Sequence, residues 1–224
     1  MKPAYSVPQK CACPAEGTPI SSTQDVPGTR GYAEKAATFR SATLALDFDV
    51  LHAAFLSYFP APPARVLDVG AGIGRDAAEL EQRGFTVDAV EPLPLFLHEA
   101  RKLYPDRHIN WHTDSLPELS SLAASATYAM ILLSGVWHHV PPDRREPALA
   151  RLGELLLPAG VICMTLRNGP AGAGTFCFPT HANETMTQAA QFGLQPSLHM
   201  ADQPSLLPGK EHVRWEKLVL KKSV

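Results

Sequence analysis

Apolar and polar positions from residue 64 onward alternate between short strand patterns and longer helix patterns. The strand patterns are nearly continuous apolar runs, and the helix patterns repeat apolar residues every three to four positions. This alternation predicts an α/β fold with a doubly wound, mostly parallel sheet, because such strands are buried on both faces by helices. The predicted strands are 64–69, 85–90, 108–112, 128–133 and 161–166, and the predicted helices are 74–83, 93–103 and 144–157.

The segments that flank this alternating core have different patterns. Before it, apolar positions at helical spacing predict two helices, and Pro60 stops the second because proline cannot continue a helix. After Arg167 the alternation loosens into a loop, a short helix and two segments that we expect to close the sheet as an antiparallel pair. These predictions are helices at 32–41 and 44–59, a loop at 168–174, a helix at 185–192, and strands at 194–200 and 212–220.

Composition limits the classes of partner. The chain has 224 residues, 45% of them hydrophobic, and a net charge of −2, which favours one ordinary domain without a nucleic-acid surface. No apolar run is long enough to span a bilayer, and residues 1–10 lack the apolar region of a secretory signal. We therefore expect a cytoplasmic protein without membrane or nucleic-acid partners. Cys11 and Cys13 could touch a metal, but we expect two free thiols and no metal site.

A turn with three glycines follows the first predicted strand, in the sequence VLDVGAGIGRD at residues 66–76. Glycine lets the backbone turn tightly and approach a ligand closely, because no Cβ intrudes. The helix that follows presents backbone N–H groups and a positive dipole end, which favour an anionic group. Ligands of such sheets bind beyond the carboxyl ends of the strands, so the turn predicts a ligand site there.

Acidic residues end or follow the next two predicted strands. Glu91 lies about 20 residues beyond the glycines, where a carboxylate can accept hydrogen bonds from both hydroxyls of a ribose. Asp114 follows the third strand, where it can accept from an exocyclic amine such as adenine N6. Each also has a structural interpretation, Glu91 as a solvated strand end and Asp114 as a helix N-cap.

Five motifs in chain order carry a family resemblance: VLDVGAGIGRD, VDAVEP, HTDSL, YAMILLSGVWHHV and LLLPAGVICMTLRNG. Together they resemble the class I S-adenosylmethionine-dependent methyltransferases, over about residues 30–220. The resemblance implies a Rossmann-like sheet of seven strands with the last strand antiparallel. It also implies S-adenosylmethionine as the cofactor.

The resemblance further implies a set of cofactor contacts. The glycine turn would cradle the methionine portion, the end of the second strand would bind the ribose, and the residues after the third strand would bind the adenine. A carbonyl after the fourth strand would face the amino group of the cofactor. In chain order these residues are Asp68, Gly70, Ala71, Gly72, Glu91, Pro92, Asp114, Ser115 and Ser134.

Further residues are expected to border the methyl position. Tyr32 lies near the sulfonium, where a ring face favours a cation, or is a packing residue. One of His138 and His139, preferably His139, is a candidate general base, since histidine titrates near neutral pH. The alternative is that one histidine caps a turn and the other is exposed. Trp137 either walls the acceptor pocket or packs in the core. Further candidate substrate contacts are Arg167 and His181.

The acceptor class follows from sequences that the chain lacks. The fourth strand is not followed by the Asn/Asp-Pro-Pro-aromatic sequence of adenine and glutamine methylases, or by the Pro-Cys of cytosine C5 methylases. We therefore expect methyl transfer to an oxygen or nitrogen of a small molecule, by a monomer or homodimer. Two alternatives stay open: a nicotinamide-dependent oxidoreductase, whose glycines would normally be spaced G-x-G-x-x-G, and a non-catalytic S-adenosylmethionine-binding protein.

The domain organisation follows from these assignments. Residues 1–29 contain five prolines and few large apolar residues, and we expect them to form a flexible arm. Residues 30–224 form a single methyltransferase domain. Within it we expect a helical lid at 30–60, a cofactor-binding core at 61–166, and the substrate loop with the C-terminal strands at 167–224.

Overall fold

The computed structural model describes residues 26–224 and has a seven-stranded sheet at its centre. The strands are β1 (Arg65–Val69), β2 (Thr86–Val90), β3 (Ile109–His112), β4 (Tyr128–Leu133), β5 (Leu156–Asn168), β6 (Leu194–Pro204) and β7 (Arg214–Lys222). The α-helices are α1 (Ala36–Leu44), α2 (Phe48–His52), α3 (Arg75–Gln82), α4 (Pro94–Leu103), α5 (Pro142–Leu155) and α6 (Ala182–Ala190). Short 3₁₀ helices span Pro27–Thr29, Leu56–Tyr58 and Trp137–His139.

The strand order is β3-β2-β1-β4-β5-β7-β6. Strands β1 to β5 pair in parallel, whereas β7 is antiparallel to both of its neighbours, β5 and β6. The prediction of a seven-stranded, mostly parallel sheet with an antiparallel last strand is confirmed. The chain leaves β3 at one edge and returns to β4 beside β1, so the carboxyl end of β1 lies at the topological switch point.

Two hydrophobic cores cover the two faces of the sheet, because successive strand residues point to opposite sides. On β1, Leu67 and Val69 pack in the core that includes α5 and α6. Val66, which precedes Leu67, packs in the core that includes α2 and α3. Helices on both faces bury the last four residues of β1, so the loop that follows β1 starts from a buried strand end.

The N-terminal helices differ from their predictions. The predicted helix at 44–59 is interrupted, because the side chain of Asp47 accepts a hydrogen bond from the Val50 N–H at 2.9 Å and caps a new helix, α2. The first helix begins at Ala36 rather than at residue 32, and Tyr32 lies in the turns that precede it. Gly31 in those turns has φ of +87°, which interrupts a helix.

A second difference from the predictions lies at residues 158–160, between the predicted helix at 144–157 and the predicted strand at 161–166. This segment does not end the helix, since α5 stops at Leu155 and Leu156 already pairs with Tyr128 of β4. The register then shifts before Val161, and Ala159 between them has φ of +62°. The three residues are therefore an irregular part of β5.

The N-terminal prediction falls partly outside the structure. Cys11, Cys13 and the rest of residues 1–25 lie outside the described residues. Within 26–224, no helix has the length and hydropathy that a membrane crossing requires.

We expect Leu67→Ala to lower the free energy of unfolding by about 2–5 kcal/mol, because Leu67 is fully buried and its removal leaves a cavity. Urea unfolding followed by circular dichroism measures the change. Leu95→Ala is the matched control, because Leu95 is 41% exposed on α4 and should change stability little. Equal losses in the two variants would contradict this account of the core.

Candidate functional site

The glycine turn after β1 is tightly bonded within the protein. Gly70, Gly72 and Gly74 all have positive φ. The N–H groups of Gly70 and Ala71 both donate to the Val90 carbonyl, at 2.8 and 2.9 Å. A Cβ at Gly70 would clash with a methyl group of Val136, so this position has room only for glycine. These two N–H groups thus fix the path of the turn.

Glu91 joins this turn to the loop after β2. One carboxylate oxygen accepts from the Gly72 N–H at 2.8 Å and the other from the Leu93 N–H at 2.9 Å. The carboxyl is buried, and burial raises its pKa to about 7 against the lowering effect of these two bonds. Two carboxylate oxygens have about four acceptor positions, so Glu91 can still accept from two hydroxyls. Pro92 lies half-buried beside it.

Asp68 provides a buried acceptor beneath the turn. Its side chain is only 1% exposed, and Oδ2 has no hydrogen-bond partner among the described residues. Burial raises the pKa of this carboxyl well above its usual range, and the neighbouring negative charge of Asp76 adds to the shift. A cationic ligand group at the turn would stabilise the ionised form of Asp68.

Asp114 braces its own loop. Its carboxylate accepts from the Ser115 N–H at 2.8 Å and from the Ser121 N–H at 2.6 Å, which is a capping role. The side chain is buried, and its oxygens keep further acceptor positions. Ser134 is half-buried directly after β4, at the same end of the sheet as the turn.

An aromatic cluster of Tyr32, Phe39 and Phe96 lies over the glycine turn. A Cβ at Gly72 would meet the Phe39 ring at 3.4 Å, and the rings of Phe39 and Phe96 stack with centroids 4.9 Å apart. Tyr32 contacts both rings edge-on, at 5.1 and 6.0 Å. The segment before β1 therefore covers the site with aromatic faces, which suit a cation.

Tyr32 also bonds to His139, from the 3₁₀ helix after β4. The Tyr32 hydroxyl lies 2.8 Å from His139 Nε2, and His139 Nδ1 lies 2.7 Å from the Phe176 carbonyl. A carbonyl only accepts, so Nδ1 carries the proton and Nε2 accepts from the hydroxyl. Burial lowers the pKa of His139 and raises that of Tyr32, which keeps both side chains neutral near pH 7.

Close packing between three segments holds this pair in place. The Arg30 carbonyl accepts from the Thr175 N–H at 2.8 Å and from its hydroxyl at 3.1 Å. A Cβ at Gly174 would lie 2.5 Å from the Tyr32 ring, and one at Gly28 would lie 2.7 Å from the His139 Cβ. Both glycines are therefore needed where residues 26–32, 137–139 and 172–176 meet.

The remaining predicted site residues lie at different depths. His138 is buried, and burial lowers its pKa well below the usual range, with a smaller contribution from the adjacent His139. Trp137 is fully buried in the core of α5 and α6, where its indole N–H lies 3.2 Å from the Thr185 hydroxyl. His181 is exposed at the start of α6. Arg167, at the end of β5, is only 7% exposed.

A buried ionic group beside the turn was not predicted from the sequence. His52 Nε2 lies 3.2 Å from Asp76 Oδ2, and Arg75 lies 2.8 Å from Asp76 Oδ1. Arg75 also donates to the Thr43 carbonyl at 3.0 Å, so the group ties the N-terminal helices to the first turn of α3. Asp76 ends the glycine motif, but no pattern marks His52 as its partner.

Comparisons with known proteins agree with this arrangement. Residues 66–160 match the family model described as a methyltransferase domain. An uncharacterized methyltransferase of Mycobacterium tuberculosis is 36% identical over 101 residues, which are 45% of this chain and 39% of the relative. Protein-L-isoaspartate O-methyltransferase 2 of Nitrosospira multiformis is 29% identical over 154 residues, 65% of this chain and 71% of that protein. The chain thus spans less than half the length of the first of these relatives.

A solved structure with the same fold is 1,6-didemethyltoxoflavin-N1-methyltransferase of Burkholderia thailandensis, crystallised with 1,6-didemethyltoxoflavin and S-adenosylhomocysteine. The TM-score is 0.65 at 21% identity, and the alignment covers 100% of both chains. At this identity the likeness shows the fold alone.

The strand order and the glycine turn define a class I methyltransferase fold, since the dinucleotide-binding order 3-2-1-4-5-6 lacks the inserted antiparallel strand. Residues 66–160 match a methyltransferase domain, and the strand order around them is that of this class. The resemblance noted in the sequence is confirmed for the fold and for the methyltransferase domain at residues 66–160, and its expected cofactor is the cationic nucleoside S-adenosylmethionine. The orphaned Asp68 oxygen, the glycine turn and the aromatic cover fit that cationic nucleoside.

We expect Glu91→Gln to change the pH dependence of stability. The Glu91 pKa is 4.5 ordinarily and about 7 in the folded chain, so between these values the folded chain holds a proton that the unfolded chain has released. Stability from this group therefore falls as pH rises through this range and is level above it. The difference in unfolding free energy between wild type and variant should change by up to about 3 kcal/mol across the range.

Urea unfolding of both proteins at a series of pH values tests this expectation. Other groups titrate in both proteins, so their contributions cancel in the difference. A difference that stays constant from pH 4.5 to 7 would show that Glu91 titrates normally.

Proposed function

We propose that this protein transfers the methyl group of S-adenosylmethionine to a nitrogen or oxygen of a small molecule. The observation that carries the proposal is the meeting of two groups of residues at one end of the sheet. The glycine turn, Asp68 and Glu91 form one group, and the Tyr32–His139 pair forms the other. Tyr32 joins the two groups, because it touches Phe39 over the turn and bonds to His139.

The residues of the turn would hold the cofactor. Asp68 offers a buried carboxylate oxygen to an ammonium group, and Glu91 offers acceptor positions to ribose hydroxyls. Asp114 and Ser115 lie at the end of β3, where the adenine would bind. When bound, the cofactor supplies an electrophilic methyl group on a sulfonium. The aromatic cluster excludes water from this region and presents ring faces to a cation.

His139 is the proposed general base for an acceptor that loses a proton. Its Nδ1 proton is held by the Phe176 carbonyl, so the free electron pair of Nε2 points toward the Tyr32 hydroxyl. An acceptor proton can pass to the Tyr32 oxygen as the hydroxyl proton of Tyr32 moves to Nε2. The depressed pKa of His139 keeps the ring neutral and able to accept.

Release of S-adenosylhomocysteine from a library of small amines, phenols and carboxylic acids tests the function. Isothermal titration with S-adenosylmethionine and with NAD supports or excludes the two alternative classes. Tight binding of S-adenosylmethionine without release to any acceptor would favour a non-catalytic binding protein. Binding of NAD alone would favour an oxidoreductase.

We expect Glu91→Ala and Gly72→Val each to weaken S-adenosylmethionine binding at least about tenfold, as measured by isothermal titration. Glu91 loses its acceptors, and valine at Gly72 has to adopt φ of +57° against the Phe39 ring. Glu154→Ala is the control, because Glu154 is 68% exposed on α5. Unchanged affinity in both folded site variants would place the cofactor elsewhere.

We expect His139→Ala to lower kcat by about 10²–10⁴ while S-adenosylmethionine affinity stays within about twofold, because only the proton acceptor is lost. Turnover and isothermal titration on the same preparation separate the two effects. His98→Ala on the exposed side of α4 is the control. An unchanged kcat in His139→Ala would remove the base assignment.

A further inference from the structure

Arg167 is a buried cation at the acceptor side of the site. It is the second-last residue of β5, which lies beside β4, and its side chain is at the same end of the sheet as the Tyr32–His139 pair. Only 7% of the residue is exposed. The positive charge of Arg167 adds to the effect of burial in lowering the pKa of both His138 and His139. The guanidinium is therefore electrostatically coupled to the proposed base.

One edge of this guanidinium is occupied by the following loop. Nη1 donates to the Gly169 carbonyl and to Cys177 Sγ, both at 3.3 Å, and Nη2 donates to the Pro170 carbonyl at 2.6 Å. These partners all lie on the loop after β5, and none is a carboxylate. A guanidinium has five N–H donors and these three bonds use three of them, so Nε and one proton of Nη2 have no acceptor within residues 26–224.

No carboxylate of the described part of the chain forms an ion pair with Arg167. Several other buried charged groups have an oppositely charged partner there: Asp76 lies against Arg75 and His52, and Asp88 lies 2.8 Å from Arg65. Arg145, which is similarly buried, has the charge of Glu184 nearby. A buried cation without a counterion is costly, and a free bidentate edge matches the two oxygens of a carboxylate.

We propose that Arg167 binds a carboxylate of the methyl acceptor through its Nε and Nη2 edge. This inference rests on the proposed function, since it names the acceptor class of the same site. The acceptor is then a small organic acid that carries its nucleophilic nitrogen or oxygen near the carboxylate. Held by Arg167, the acid places that atom on the side of the Tyr32–His139 pair.

Matched acids and amides test the proposal, because each pair differs only in the anionic group. The probes are 2-aminobenzoate with 2-aminobenzamide and 2-hydroxybenzoate with 2-hydroxybenzamide. Their binding to the protein is measured by isothermal titration, with and without S-adenosylhomocysteine, and their methylation by release of S-adenosylhomocysteine. We expect each acid to bind at least about tenfold more tightly than its amide, the range of a charge-assisted hydrogen-bonded pair.

Arg167→Gln should abolish this preference by weakening the acids about 10- to 100-fold and leaving the amides unchanged. Arg167→Lys should restore part of the acid affinity, because lysine keeps the positive charge but lacks the planar guanidinium that donates two parallel hydrogen bonds. Cys177→Ala is the matched control. It removes a partner on the occupied edge of Arg167, and it should keep the acid preference.

A merely structural role for Arg167 predicts a different result, in which Arg167→Gln weakens acids and amides equally. That outcome would overturn the proposal, as would equal binding of acid and amide by the wild type or binding of neither. Failure of the proposed function is separate, because it shows as absence of S-adenosylmethionine binding by the wild type. The acid preference is still measurable then, in the titrations without S-adenosylhomocysteine.

Discussion

The site depends on one carboxylate that joins two loops. Glu91 accepts from the Gly72 N–H and the Leu93 N–H, and so links the turn after β1 to the turn after β2. Both strands are buried by helices on two faces and cannot move apart, which leaves the loops as the adjustable part. The same buried position that makes this link raises the Glu91 pKa. The proposed ribose contact would therefore use the same two oxygens that link the loops.

The second organising feature is the way in which distant segments meet above that link. Residues 26–32 reach the loop after β5 through the Arg30–Thr175 bonds, and Gly174 leaves room for the Tyr32 ring. Phe39 in α1 covers the glycine turn on the other side. The chain before β1 thus spans the whole mouth of the site, from the turn to His139.

The sheet could be predicted from the sequence, whereas the contacts of the N-terminal segment over the site could not. Apolar runs such as β4 are set by burial on both faces, and its predicted ends, Tyr128 and Leu133, agree with the structure. Helix α1 has no buried residues, so its pattern was weak, and the cap at Asp47 divided a longer periodic run. The Tyr32–His139 contact spans 107 positions and leaves no local trace. Glu91 could be selected by motif spacing, but its backbone partners could not.

Tyr32 connects the two halves of the site through one side chain. Its ring packs against Phe39 at the turn, and its hydroxyl forms a hydrogen bond with His139 Nε2. A displacement of Tyr32 would therefore change its contact with Phe39 and its hydrogen bond to His139 at the same time. The aromatic cover of the turn and the hydrogen bonding of the imidazole are thus linked through a single tyrosine ring.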